Sequence, residues 1–249
     1  MENLPLYIFS GISAAFLAAV CLRFTPWTRA GKAAVVTGYL FCASGVAAIL
    51  ILKKRLPVFG MFESVLYISF FLCVFDFFSI RALAPETGRK VSGQIYAVVL
   101  ILMLFQLNEP MTFNPDFFMY ANLWVNLFFN LRLTAAAFFI YAALLYLNGA
   151  WTPDQTSGDG KKHLIKQGRN FLLAGSAVYL ASEWSGSLWC MNWLGDSWRW
   201  SRGFFKASAV FLLAMTALHL PPVLKQKKKA RAVFSALPAL FLLWMILYH

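Results

Sequence analysis

Leu131 to Gly149 reads LRLTAAAFFIYAALLYLNG, and it decides the fold. After Arg132 the run carries no charge, and about 18 such residues are what an α-helix needs to cross the hydrocarbon of a bilayer. The segment before it, Tyr120 to Asn130 (YANLWVNLFFN), is aromatic and dotted with Asn. A helix that starts near Leu131 leaves Arg132 at the membrane rim. A helix that starts at Tyr120 buries it roughly 18 Å deep at about 1.5 Å per residue, which is costly unless the charge is paired. The rim placement is the expectation.

Working outward, similar or nearly similar runs recur at 5–23, 33–52, 62–80, 92–107, 170–187, 204–221 and 233–248. With 60% hydrophobic and 13% charged residues in 249, a soluble domain of this size has nowhere to hide so much apolar surface. The expected fold is therefore all-α: a polytopic membrane bundle of about eight transmembrane helices, forming a single integral-membrane domain over residues 1–249. The first run lacks a basic leader and a small-residue cleavage site near Arg23, so it reads as a retained helix rather than a signal peptide.

Basic residues set the orientation, since they stay on the cytoplasmic side. With the N-terminus outside, the inner loops hold Arg23, Arg29 and Lys32, then Arg81, Arg89 and Lys90, then Lys161, Lys162, Lys166 and Arg169, and finally Lys225, Lys227, Lys228, Lys229 and Arg231. The outer loops hold only Lys53, Lys54, Arg55, Arg199, Arg202 and Lys206. Both termini are then outside, in a multi-pass protein of the cell inner (cytoplasmic) membrane. The net charge of +12 is read as topology and attraction to anionic membrane lipid, with no nucleic-acid partner.

Chemistry concentrates in the expected outer loop, 188–203. Trp189 to Trp200 reads WCMNWLGDSWRW, which places Trp189, Trp193, Trp198 and Trp200 beside Gly195, Arg199 and Arg202. Indoles gather at headgroup depth at helix ends, but four so close together also make a stacking surface. Nearby arginines supply partners for carboxylates. A porphyrin or a quinone suits such a surface.

Elsewhere, Glu63 at the outer mouth of the third run either caps a helix or does chemistry. Asp76, near the inner end of the same run, reads as an interfacial pair with Arg81. The four cysteines, Cys21, Cys42, Cys73 and Cys190, are dispersed and indicate neither zinc nor a dithiol relay. His163 reads as a solvated side chain. His219 is an intramembrane histidine or one that snorkels at the inner interface, and is expected to face the bundle interior.

The run MFESVLYISF (Met61–Phe70), with Pro57 five residues before Phe62, resembles the Pro…[Tyr/Phe]-Glu-Ser-x-x-[Phe/Tyr]-x-Ser stretch of the CcsA/CcmC/ResC type of cytochrome c biogenesis protein. In that family the Trp-rich loop reads W-G-x-x-W-x-W-D-x-x-E and is the external platform for haem. Gly195, Trp198 and Trp200 match it, and Trp193 stands one position before the family's first Trp. Ser201 and Phe204 replace the expected Asp and Glu. His219 stands nineteen residues after Trp200, where the family has its intramembrane His. Leu133 occupies the place of an external His, and only the terminal His249 is left to serve as a second.

The resemblance implies a divergent haem-handling protein that presents haem at the outer face to a periplasmic c-type cytochrome or apocytochrome. Trp193, Trp198 and Trp200 would stack the macrocycle, Arg132, Arg199 and Arg202 would meet its propionates, and Glu63 and Gly195 belong to the same site. His219 and His249 are the iron ligands it offers, about a membrane apart and so unable to share one iron. The alternative is a CcsA-like membrane subunit of a respiratory complex that anchors a periplasmic cytochrome or binds quinol. Either role implies a second membrane or periplasmic subunit.

Overall fold

The computed structural model describes residues 3–22, 28–79, 83, 85–107, 109, 111–113, 121–151, 158–195, 202–221, 223–224 and 227–248. These form eight long helices and no strand: α1 (Leu4–Leu22), α2 (Thr28–Lys53), α3 (Met61–Ser79), α4 (Pro85–Gln106), α5 (Leu123–Trp151), α6 (Gly158–Leu194), α7 (Arg202–Leu218) and α8 (Lys228–Leu247). Six of them, α1 to α5 and α8, are long and apolar enough to cross a membrane. The apolar part of α7, Phe204–Leu218, is shorter. The 37 residues of α6 have length to spare, but polar and basic residues interrupt them.

Several helices outrun their apolar middles, for identifiable reasons. Asn122 Oδ1 accepts the backbone N–H groups of Trp124 at 2.9 Å and Val125 at 3.3 Å, which is an N-cap. Helix α5 therefore starts at Leu123, not near Leu131. Arg132 is nine residues inside it, roughly 13 Å from its first residue at about 1.5 Å per residue, and the expected helix start is corrected.

At its other end α6 meets no helix breaker until Gly195, whose φ of +69° only glycine adopts readily. The Gly195 N–H donates to the Met191 carbonyl at 3.1 Å, the αL cap that closes a helix. The first half of the Trp-rich stretch is thus helical rather than loop.

By their internal contacts the helices divide into two compact units, Met1–Phe117 and Phe118–His249. In the first, α2 and α4 each pack against both α1 and α3, so the four helices close a ring. The second repeats the scheme, with α6 and α8 each packed against both α5 and α7. Each ring has one helix that is apolar nearly all round, as a buried helix must be. In α3 every residue from Phe62 to Ser69 is buried, and in α5 burial takes most positions from Leu133 to Gly149.

The seam between α5 and α6 rests on small residues seven apart on α6, Gly168, Gly175 and Ser182, the spacing of a helix pair in close contact. A Cβ at Gly175 would lie 2.9 Å from both Phe138 and Phe139. Ser182 Oγ donates to the Phe128 carbonyl at 2.8 Å, and Tyr179 donates across to the Ala207 carbonyl of α7 at 3.0 Å.

Candidate functional site

Where α5 begins and α6 ends, the second unit gathers its aromatic residues. Trp124 and Trp184 meet edge to face at 6.2 Å, and Phe128 and Trp189 lie 6.0 Å apart. Trp184 and Trp193 leave 64% and 47% of their surface exposed, a large apolar area to leave uncovered on a helix end.

Arg132 enters the same neighbourhood from α5. Its guanidinium lies 4.0 Å above the Phe128 ring and donates to Glu183 Oε1 of α6 at 2.5 Å. The pair gives the arginine a partner within a long apolar helix, where an isolated charge would be costly. Arg132 Nε and Trp189 Nε1, in the two residues that pack on Phe128, are buried N–H donors without an acceptor among the described residues. A buried donor left unmade costs on the order of 1–3 kcal/mol, so this end is suited to a ligand that brings acceptor oxygens.

The other expected site residues fall as follows. Trp193 occupies the last turn of α6, and Gly195 ends it. Arg202 opens α7. Trp198, Arg199, Trp200 and His249 lie outside the described residues.

His219 follows α7 in a turn. It is exposed, with Nδ1 3.0 Å from the Met215 carbonyl, so the expectation of an imidazole facing the bundle interior is not met. The 17 residues of α7 put it roughly 25 Å from the start of that helix at about 1.5 Å per residue. It cannot ligate an iron stacked at the Trp-rich end. His163 is exposed on α6.

Glu63 belongs to the first unit and is fully engaged there. Arg55 donates to it twice, Nη1 to Oε2 at 2.6 Å and Nη2 to Oε1 at 2.9 Å, with the two side chains 6% and 1% exposed. Phe59 lies beneath the guanidinium at 5.6 Å. The bidentate pair ties the turn after α2 to the first turn of α3, a geometry to which a planar guanidinium is suited.

Asp76 departs furthest from its sequence reading as an interfacial pair. It is buried, and it accepts hydrogen bonds from Tyr39 of α2, from Ser92 of α4 at 2.6 Å and from Tyr96 of α4 at 3.2 Å. Three hydroxyls therefore satisfy the carboxyl group where a cation had been expected, and Arg81 lies outside the described residues. Cys42 and Cys73 are buried, and Cys190 is half-buried on α6. Among the described residues no group of three or more His, Cys, Asp or Glu side chains is placed to hold a metal ion.

Nothing local in the sequence pairs Arg132 or Glu63, and Glu183 and Arg55 are their partners. The available signal was charge balance: a membrane chain with so few carboxylates pairs them. No known family, curated protein or solved structure matches the chain, so the site is read from its own residues.

Proposed function

We propose that the chain is a multi-pass inner-membrane protein that holds a planar, oxygen-bearing cofactor, haem, against the aromatic end of its second unit. In this reading it presents that cofactor to a periplasmic c-type cytochrome or apocytochrome, as the CcsA/CcmC-type proteins it resembles do. Its eight helices all cross the membrane, both termini are outside, and the Trp-rich end faces the periplasm. The observation that carries the reading is the pair of unsatisfied donors, Arg132 Nε and Trp189 Nε1, beside exposed indoles that lead through Gly195 toward Trp198 and Trp200.

The residues fit the group in one respect and not in another. Exposed Trp184 and Trp193 supply stacking area, worth on the order of 1 kcal/mol per ring contact beyond burial. Arg132 pairs with Glu183, and its Nε would meet an acceptor such as a propionate. Iron ligation at this end has no histidine among the described residues, because His219 is at the far end of α7, and only the sulfur atoms of Cys190 and Met191 stand near it on α6. Haem when bound would supply redox chemistry. The protein's part is to stack it, orient its carboxylates and release it.

One observation favours a second reading. Glu63 and Arg132 are both committed to ion pairs, which leaves stacking and neutral hydrogen bonds to dominate, and those suit a quinone ring and its carbonyls. The protein would then be the quinol-binding or cytochrome-anchoring membrane subunit of a respiratory complex. Visible spectra and solvent extracts of protein purified from haem-sufficient cells separate the two. A Soret band that scales with protein supports haem carriage, extracted quinone without a Soret band supports the quinol subunit, and neither ligand removes both readings.

A further inference from the structure

Asp76 is a carboxyl group buried in a helix long and apolar enough to cross a membrane, and the ligand site of the second unit does not involve it. Ionisable side chains are expensive in such a place, and they recur there as stations for protons and ions. Tyr39 of α2 and Tyr96 of α4 both donate to Asp76 Oδ2, the latter at 3.2 Å, and Ser92 of α4 donates to Oδ1 at 2.6 Å. The two phenol oxygens lie 3.4 Å apart, where either can donate to the other. Phe16 of α1 backs both rings, 5.4 Å from that of Tyr96 and 6.3 Å from that of Tyr39.

The cluster is close to the end of its helix. Asp76 stands three residues before Ser79, the last of α3, roughly 5 Å at about 1.5 Å per residue. Tyr39 is half-buried while the other three are buried, so it is the member through which water is met. One turn before Asp76, the thiol of Cys73 meets that of Cys42 of α2. Arg29 and Lys32 of α2 and Glu86, Arg89 and Lys90 of α4 are exposed, and α1 carries no charged residue.

These four side chains satisfy the carboxyl group in both of its states. Ionised, it accepts all three hydroxyls. With a proton on Oδ2, that oxygen donates to Tyr39, Tyr39 turns its own O–H toward Tyr96, and Tyr96 still donates to Oδ2. Ser92 stays on Oδ1 throughout. Every donor keeps an acceptor and one proton from water has cancelled one negative charge, so no buried group is left unmade in either state.

We propose that Asp76, with Tyr39, Tyr96 and Ser92, is a reversible proton-binding site within the first ring. The ligand is a proton rather than a sodium ion, because carboxyl and hydroxyl oxygens in direct hydrogen-bond contact leave no space for a metal cation between them. The function is to hold a proton below the membrane surface without loosening α2, α3 or α4, as a proton-coupled membrane protein requires. The same contacts join the three helices in both states, so the cluster remains part of the scaffold. Nothing in this depends on whether the second unit holds haem.

The test is infrared difference spectroscopy of the full-length protein in lipid nanodiscs, between acid and alkaline pH. The expected signal is a carboxylic acid C=O band that is lost as pH rises, returns as it falls, shifts in heavy water and is missing from Asp76→Asn. Ser92 donates to the oxygen that becomes the C=O, so Ser92→Ala should move the band to higher frequency. Tyr39→Phe leaves that bond in place and should move it less. A residue that only joins helices would give neither the band nor this order of shifts. Should Asp76→Asn fail to fold, isotopically labelled aspartate must lower the band frequency in the unaltered protein and in Ser92→Ala alike.

A band absent at every pH at which the protein stays folded, or one that appears only in Arg81→Gln, shows a carboxylate held ionised and overturns the proposal. A band that never titrates, or that resists heavy water, makes Asp76 a fixed neutral acid and overturns it as well. Loss of the band on adding sodium at constant pH overturns the proton assignment in favour of a metal cation.

Discussion

The two rings share a plan and differ in where they spend their polar residues. In the first, polar groups turn inward and satisfy one another: Arg55 grips Glu63 with two hydrogen bonds, and Tyr39, Ser92 and Tyr96 converge on Asp76. In the second, the middle of α5 is nearly all apolar, and the polar groups collect at the ends. Two donors there lack acceptors among the described residues, and four cations stand around a cavity. Polar groups that hold one another in this way make a scaffold, although Ser13 Oγ and Ser69 Oγ of the same ring are buried without a partner among the described residues. Unsaturated ones at exposed ends make a site. The difference predicts that changes in the first ring cost stability and spare binding, and that changes at the ends of the second ring do the reverse.

The largest expected effect is at Arg55 and Glu63. Glu63→Ala leaves a guanidinium buried without its carboxylate, which should cost about 3–5 kcal/mol, read as unfolding free energy in mixed micelles. Arg55→Met with Glu63→Leu removes both charges and should recover most of that loss. If the double change is as damaging as the single one, the pair does more than hold α3 in place.

Next comes Asp76. Replacing it with Ala takes an acceptor from three hydroxyls, of which those of Tyr39 and Tyr96 still lie 3.4 Å apart, for a total of about 2–4 kcal/mol. Asp76→Asn keeps one acceptor oxygen and should cost less than half as much. Ligand content per folded molecule should be unaltered in both, and a fall in it would erase the contrast between the rings.

In the second ring the stability effects shrink. Arg132→Met leaves Glu183 alone, but that carboxylate is 30% exposed, so about 1–2 kcal/mol is expected, less than for a fully buried partner. Ligand binding should suffer more than folding does. Tyr179→Phe deletes the bond to the Ala207 carbonyl and the contact with Glu183 and should cost about 1 kcal/mol.

How much of this was legible in the sequence differs between the rings as well. The apolar runs marked all eight helices, because a bilayer or a packed ring demands the same continuous apolar length. Helix ends were less legible, since counting apolar residues ignores polar turns that remain helical. Asn122 as a cap and Gly195 as a stop were the local signals that reset α5 and α6.

The Trp-rich stretch was read as a loop because indoles favour interfaces, and an interface does not require the chain to leave the helix. Asp76 was illegible for a different reason. Its partners stand 37, 16 and 20 residues away, and no local rule brings Tyr39, Ser92 and Tyr96 to one carboxyl group. The cations at 162, 166, 169 and 231 were read only as a vote on orientation, because their shared cavity depends on four helices meeting.

The central claim is that the aromatic end of the second ring holds a planar ligand by stacking and hydrogen bonding rather than by iron ligation. It is tested most directly by titrating haem into the purified apoprotein and comparing Trp189→Ala, Trp193→Ala, Trp198→Ala, His219→Ala and His249→Ala under one set of conditions. The account predicts that each Trp change weakens binding about fivefold or more, on the order of 1 kcal/mol per lost contact, and that the His changes leave it within twofold. Abolition of binding by either His change, with the Trp variants binding as tightly as the unaltered protein, would contradict it.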